Sequence, residues 1–214
     1  MRKIIVSLLA FAGLTISFLS YSAPAKSIAE SAEQVAPLLN GQMIPDVEVT
    51  TIDGGKESLP KFLDGQKTVL FFYRGGWCPF CNTQMGQLKA IEGQLKAMGF
   101  QLVGVSTDGP ADLKKSIEKM DLGYQLVSDF DSTLSQAFGI AFFTSEKTTK
   151  RYLAGLNLAN PLQKNAAGQD RLVLPAPAVY VIDSKGLVQF NYVNPNFRVR
   201  LDEQVLLAAA KAVK

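Results

Sequence analysis

Val69-Leu70-Phe71-Phe72-Tyr73-Arg74-Gly75-Gly76-Trp77-Cys78-Pro79-Phe80-Cys81 runs from a continuous apolar segment, through two glycines, into the only two cysteines of the 214-residue chain. The apolar run ended by Gly-Gly has the length and composition of a strand covered on both faces. Apolar residues then recur at Met85, Leu88, Ile91, Leu95 and Met98, the spacing of one helical face. Gly86 and Gly93 weaken the helix propensity of that stretch without changing its period. The cysteines thus fall where a buried strand hands over to a helix. Two thiols at i and i+3 in that setting can close a small disulfide and reopen it.

A helix N-terminus presents unpaired N–H groups and a partial positive charge, and both stabilise a thiolate. Cys78 is expected at that end, with a pKa below the value of about 8.5 for a free thiol. Pro79 suits the first helical turn, where its missing N–H costs nothing, and the amides of Phe80 and Cys81 are placed to face the Cys78 sulfur. Arg74 adds positive charge nearby or is an ordinary surface salt-bridge partner. Cys81, further along the helix, is the resolving thiol: Cys78 attacks a substrate disulfide and Cys81 displaces the product. A bridge closing so short a loop stabilises little, which argues for a working pair over a structural one. Trp77 either shields the sulfurs and offers a flat docking surface or covers the core. Tyr73 reads as core and Arg171 as loop surface.

Composition bounds the rest. A hydrophobic fraction of 47% with 10 prolines suits one globular domain. Arg2-Lys3, the apolar stretch Ile4–Leu19 and Ala23-Pro24-Ala25 have the pattern of a secretory leader, residues 1–25, cut after Ala25. The apolar stretch is shorter than the roughly 20 residues that span a bilayer, so no membrane span is expected after cleavage. The mature protein is expected in the periplasm or secreted, where disulfides persist. Losing Arg2 and Lys3 lowers the net charge from +3 to +1, which gives no reason to expect a nucleic-acid or acidic-membrane partner. With 0 histidines, Cys–His catalysis, haem attachment and His-ligated zinc or copper are excluded. No metal and no cofactor are read from the chain.

After a polar N-terminal arm, residues 26–43, the main domain spans 44–214. Val47–Thr51 reads as a strand and Asp53-Gly54-Gly55 as a turn. Leu102–Val105 is a strand, Asp108-Gly109-Pro110 starts a helix, Tyr124–Val127 is a strand, and Asp131–Phe138 is a short helix behind an Asp cap. Ala178–Ile182 and Leu187–Val193 flank a tight turn that pairs them antiparallel, and an amphipathic helix follows from about Asp202. This order argues for an α/β fold with a mixed central sheet and helices on both faces. Residues 141–174 are long for a connection, with a helix expected around Tyr152–Leu158. Because they lead into Pro175-Ala176-Pro177, they are expected to border the redox site.

At this point the sequence resembles the thioredoxin superfamily, and more narrowly the bacterial peroxiredoxin-like proteins grouped with alkyl hydroperoxide reductase C and thiol-specific antioxidant. The residues that carry the resemblance are Phe71 through Cys81, Val103-Gly104-Val105-Ser106-Thr107-Asp108, Leu126-Val127-Ser128-Asp129 and Ala176 through Asp183. It implies a thioredoxin-like fold with 141–174 as an insertion before a strand opened by a cis Pro177. That cis bond would bring the Ala176 backbone close enough to pair with an extended substrate. Two departures from peroxiredoxins matter. In their Pro-x-x-x-Thr/Ser-x-x-Cys pattern, Cys81 falls at the peroxide-reducing position, Cys78 replaces the Thr, and Arg74 replaces the Pro. Where they carry an arginine before the late strand, this chain has Pro177. The buried acid of thioredoxin's central strand corresponds to Phe72.

These features lead to a thiol–disulfide oxidoreductase, with protein or small-molecule thiols and disulfides as substrates and an unidentified redox partner. The alternative is a thiol peroxidase in which Cys81 or Cys78 is oxidised by peroxide and the other closes the disulfide. A non-enzymatic redox-sensitive binding module stands third.

Overall fold

The computed structural model describes residues 26–156 and 158–213; the leader stretch 1–25 lies outside them. The elements, in chain order, are β1 (Glu48–Thr51), β2 (Lys56–Ser58), α1 (Leu59–Leu63), β3 (Lys67–Tyr73), α2 (Pro79–Ala97), β4 (Phe100–Ser106), α3 (Pro110–Met120), β5 (Gln125–Ser128) and α4 (Thr133–Ala137). There follow β6 (Ala141–Phe143), α5 (Glu146–Leu156), β7 (Gln163–Lys164), β8 (Asp170–Arg171), β9 (Val173–Pro175), β10 (Ala178–Ile182), β11 (Val188–Val193) and α6 (Glu203–Ala212). The main sheet has the order β11-β10-β3-β4-β5-β1-β2, with β3, β4 and β5 parallel and the other pairs antiparallel.

Alternation along β3 builds two cores. Val69, Phe71 and Tyr73 point to the face covered by α2, α3 and α6, through Met85, Leu88, Leu95, Leu113 and Leu206. Leu70 and Phe72 point to the other face, where Leu59, Leu63, Leu134 and Phe138 pack. Burial on both faces is why this strand reads as an unbroken apolar run. The result is the thioredoxin-like α/β architecture with helices on both faces.

The arm is tied to the body: Ala36 N–H donates to Gly139 O (2.9 Å), Leu38 N–H to Phe138 O (3.1 Å), and Ala29 bridges Phe142. Within 141–174, β6 pairs β9 and β7 pairs β8, while Leu172, Val173 and Leu174 are buried.

Three local expectations need correction. The Ala176–Pro177 bond is trans, as is every peptide bond among the described residues. The chain on either side is already held, β9 by β6 and β10 by β3, and the trans form is the intrinsic preference of an X-Pro bond. The helix expected around Tyr152–Leu158 is α5, one and a half turns earlier, because Ser145 starts it: its hydroxyl accepts from Thr148 N–H (3.2 Å) and its carbonyl from Thr149 N–H (2.8 Å). At α4, the Asp131 carboxylate accepts only from Thr133 N–H (3.1 Å), whereas that of the buried Asp129 takes both Leu134 and Ser135 N–H (2.7 and 2.9 Å).

Gly104 sits in β4 where an added Cβ would lie 2.6 Å from Leu126 Cδ2 and 2.7 Å from Phe71 Cζ. Gly104→Val therefore overpacks the centre of the sheet. It is expected to lower the urea midpoint by an amount corresponding to about 1–3 kcal/mol, checked by equilibrium denaturation.

Candidate active site

The C-terminal ends of the parallel strands β3 and β4 hold the loop that carries the cysteines. Thr107 Oγ1 donates to Arg74 O (2.8 Å), Gly76 N–H to Asp108 Oδ2 (2.7 Å), and Asn82 Nδ2 to Gly76 O (2.9 Å). Gly75 has φ +143°, and a Cβ there would lie 2.2 Å from Trp77 Nε1; one on Gly76 would lie 2.4 Å from Ser116 Oγ. The Gly-Gly pair is thus a steric requirement of a loop pressed against α3. Burial pushes the Asp108 carboxyl up, and the Gly76 N–H opposes that shift.

Cys78 is the N-cap of α2, with Pro79 in the first turn; Cys81 and Asn82 N–H both donate to its carbonyl (3.0 and 3.1 Å). Both cysteines are reduced and covered, Cys78 with 2% of its surface exposed and Cys81 with 0%. The Cys78 thiol is brought down to about 6, first by the Cys81 thiol facing its sulfur; burial opposes the shift, while the Cys81 N–H, Arg74 and Arg200 support it. Burial pushes the Cys81 thiol well up and the neighbouring sulfur adds to that, against the pull of Arg200. The two directions favour the negative charge of the pair on Cys78 and the proton on Cys81.

Two guanidiniums face these sulfurs. Arg200, in the segment between β11 and α6, places Nη2 3.2 Å from Cys81 Sγ and Nη1 3.0 Å from Gln84 Oε1. Arg74 has only 4% of its surface exposed, so it is buried and not a surface ion pair. Its Nη2 donates to Tyr152 Oη (2.6 Å), and its guanidinium carbon lies 4.3 Å from the Phe197 ring centre, 5.1 Å from Tyr152 and 5.4 Å from Trp77. Among the described residues, no carboxylate lies within ion-pair distance of either arginine. The insertion reaches the site through Tyr152, whose ring packs edge-on to Trp77 (5.2 Å).

The remaining candidates divide. Trp77 is partly buried against the core and its Nε1 has no acceptor. Phe80 is 40% exposed and packs edge-on to Phe197 (5.7 Å) beside Arg198. Ala176 is buried and its N–H already donates to Ile140 O (2.9 Å), while Pro177 O accepts from Asn194 N–H (3.1 Å). No free edge is left there for an extended substrate chain. Arg171 is largely covered, with Nη2 bonded to Gln169 Oε1 (2.6 Å).

A family model described as the AhpC/TSA family matches residues 40–191. The chain belongs to the AhpC/TSA family. Its relatives include Peroxiredoxin Bcp of Escherichia coli (strain K12), 33% identical over 104 residues that cover 49% of this chain and 66% of that one. The match thus spans just under two thirds of that relative. The chloroplastic Peroxiredoxin Q of Populus jackii is 28% identical over 159 residues, 74% of this chain and 62% of its own. Among solved structures, Peroxidoxin BcpB from Mycobacterium tuberculosis superposes with a TM-score of 0.60 at 20% identity over 82% of this chain and 97% of its own. Reduced Prx3 of Vibrio vulnificus, in complex with hydrogen peroxide, does so with 0.65 at 19% identity over the same shares, 82% and 97%. These likenesses bear on the fold.

The arrangement fixes the sign of a pH effect. In this AhpC/TSA chain the folded Cys78 thiol lies below the unfolded value of about 8.5, so thiolate pairing stabilises the reduced protein fully above that value. The contribution is lost as pH falls through about 6. The stability difference between the reduced protein and Cys78→Ser, measured by denaturation across this window, is expected to grow with pH. A flat difference contradicts the charge assignment.

Proposed function

We propose that the chain is a thiol-dependent peroxidase acting on hydrogen peroxide or organic hydroperoxides, with Cys78 as the attacking and Cys81 as the resolving cysteine. One observation carries this reading: a thiolate-bearing pair is sealed from bulk surface beside two guanidiniums without carboxylate partners. A small oxidant enters such a site on modest breathing, whereas a protein disulfide aligned for attack needs an open sulfur and a free backbone edge. The peroxiredoxin names of the relatives agree. So does the leader-like stretch 1–25, which supports action in the periplasm or outside the cell.

The Cys78 thiolate attacks the terminal peroxide oxygen, the O–O bond breaks, and Cys78 becomes a sulfenic acid. The departing alkoxide or hydroxide takes the Cys81 proton. With the charge on Cys78 consumed, the like-charge opposition to ionising Cys81 is gone; burial still opposes it, and Arg200 stabilises the new thiolate. Cys81 then attacks the sulfenic sulfur, the S–O bond breaks as the disulfide forms, and the hydroxide leaves with the negative charge and takes a proton from solvent to become water. An external thiol must reduce the bridge, so disulfide exchange returns as the second half of the cycle.

Mixing the reduced protein with hydrogen peroxide while following Trp77 fluorescence is expected to show two phases. Cys81→Ser should stop after the first, with a sulfenic acid trapped by a cyclic dione and located by mass spectrometry at Cys78; Cys78→Ser should be inert. Arg200→Met should slow the second phase about tenfold, the factor that about 1.4 kcal/mol of lost charge stabilisation produces. Dione capture at Cys81 in Cys78→Ser would reverse the two roles, in agreement with the family register of Cys81. A wild-type protein that peroxide does not oxidise rules out the peroxidase.

A further inference from the structure

A cavity of about 290 Å³ opens against Arg74, walled by Phe142, Tyr152, Pro177 and Phe197, with the exposed Arg151 at its rim. Glu30 and Glu33 of the arm also stand exposed at the rim, Glu30 with its Oε1 accepting from Ala166 N–H (2.9 Å). Its inner end is the cation without a carboxylate, and Arg74 Nε is buried with no acceptor. We infer that this cavity binds a small thiol bearing a carboxylate, which enters as the reductant of the Cys78–Cys81 disulfide. The inference rests on the reading that this pair cycles between thiols and disulfide.

Charge accounts for the choice of ligand. In the reduced protein the Cys78 thiolate is the counter-charge of Arg74 and Arg200. Closing the disulfide removes that charge and leaves the buried Arg74 and the partly buried Arg200 without it, and breaking up a buried charge pair is unfavourable. The oxidised protein is therefore the anion-seeking state. Beside Arg74 the walls are aromatic and proline surface, Phe142, Tyr152, Pro177 and Phe197, which lowers the local dielectric and strengthens pairing with a guanidinium. The volume falls at the lower end of small-molecule sites, about 300–1,000 Å³, too small for a protein loop. Tyr152 and Phe197 bracket Arg74 and hold its guanidinium at the cavity wall, near enough to the pair for its charge to favour the Cys78 thiolate.

The step balances without a further reagent. One thiolate attacks the bridge, the S–S bond breaks, and its electron pair leaves on the other protein sulfur. A second thiolate attacks the external sulfur of the mixed disulfide, forming the oxidised dimer of the small thiol. The bridge is left as two thiolates, and one of them takes a proton from water, which restores the one proton and one charge of the reduced pair.

The test closes the bridge with diamide, so that it does not depend on peroxide chemistry. Reduction is followed by Trp77 fluorescence with mercaptoacetate, mercaptoethanol and cysteamine at equal thiolate concentration. Mercaptoacetate is expected to react about tenfold faster than cysteamine, the ratio that about 1.4 kcal/mol of charge pairing gives. Arg74→Gln should bring the ratio towards one, and Thr148→Phe, which fills the cavity from α5, should slow all three thiols. Should Arg74→Gln not fold, methylthioacetate serves on the wild type: it should inhibit mercaptoacetate and bind the oxidised protein more tightly than the reduced one. Equal rates for the three thiols, or a charge preference that survives Arg74→Gln, would overturn the inference, as would a pair that diamide cannot close. A pair that diamide closes and peroxide does not would remove the peroxidase and leave this site standing.

Discussion

A buried guanidinium, Arg74, and a partly buried one, Arg200, with no carboxylate among the described residues opposite either, are the constraint around which this site is arranged. A buried cation is tolerated only when something pays back its lost hydration. Arg74 gains a hydroxyl acceptor and three ring faces, and Arg200 a glutamine oxygen and a sulfur. Rings and amides compensate only in part. The unit charge that completes the balance is on Cys78, and it exists only while that sulfur is reduced and unprotonated. Redox state and electrostatic balance are therefore the same variable at this site.

Three segments distant in sequence meet to produce it. The strand end and Gly-Gly loop supply Arg74 and the cysteines, and the loop is held by Thr107 and Asp108 at the end of the adjacent parallel strand. The segment after β11 supplies Phe197 and Arg200, and the insertion supplies Tyr152. The long connection is therefore part of the enclosure of the site. Its outer hairpin is exposed, but Leu172, Val173 and Leu174 are anchored in the body, which fixes where α5 can place a side chain.

The sequence showed most clearly what is periodic and local. The strand before the cysteines, the helix behind them and the antiparallel pair near the C-terminus follow from hydrophobic spacing, because burial selects side chains at the period of the element. Cys78 and Cys81 were legible for the same reason, as a pair at a strand-to-helix junction. Arg200 was not: it lies 119 residues from the sulfur it touches, and no local pattern marks an arginine that tertiary structure folds back. Tyr152 and Phe197 escaped for the same reason. Asp129 was overlooked as a cap because the nearer Asp131 satisfied the local rule, while the turn brings the more distant carboxylate under the helix. Pro177 misled in another way. A motif borrowed from thioredoxin was set on a body whose flanking strands hold the chain in the ordinary trans form.

Burial and turnover seem opposed at first, since a covered sulfur is a poor nucleophile towards a large partner. Here the resolving thiol stands in the same helical turn as the attacking one, so disulfide closure needs no element to unfold or swing across the surface. In the proposed cycle peroxide is small and the second sulfur is already in place, so the oxidative half would proceed inside a closed site. Only the return to the thiol state would call for a reagent larger than peroxide. On that reading the cover over the sulfurs would act as a filter on the reductant, and the charges beneath that cover would set which reductants pass.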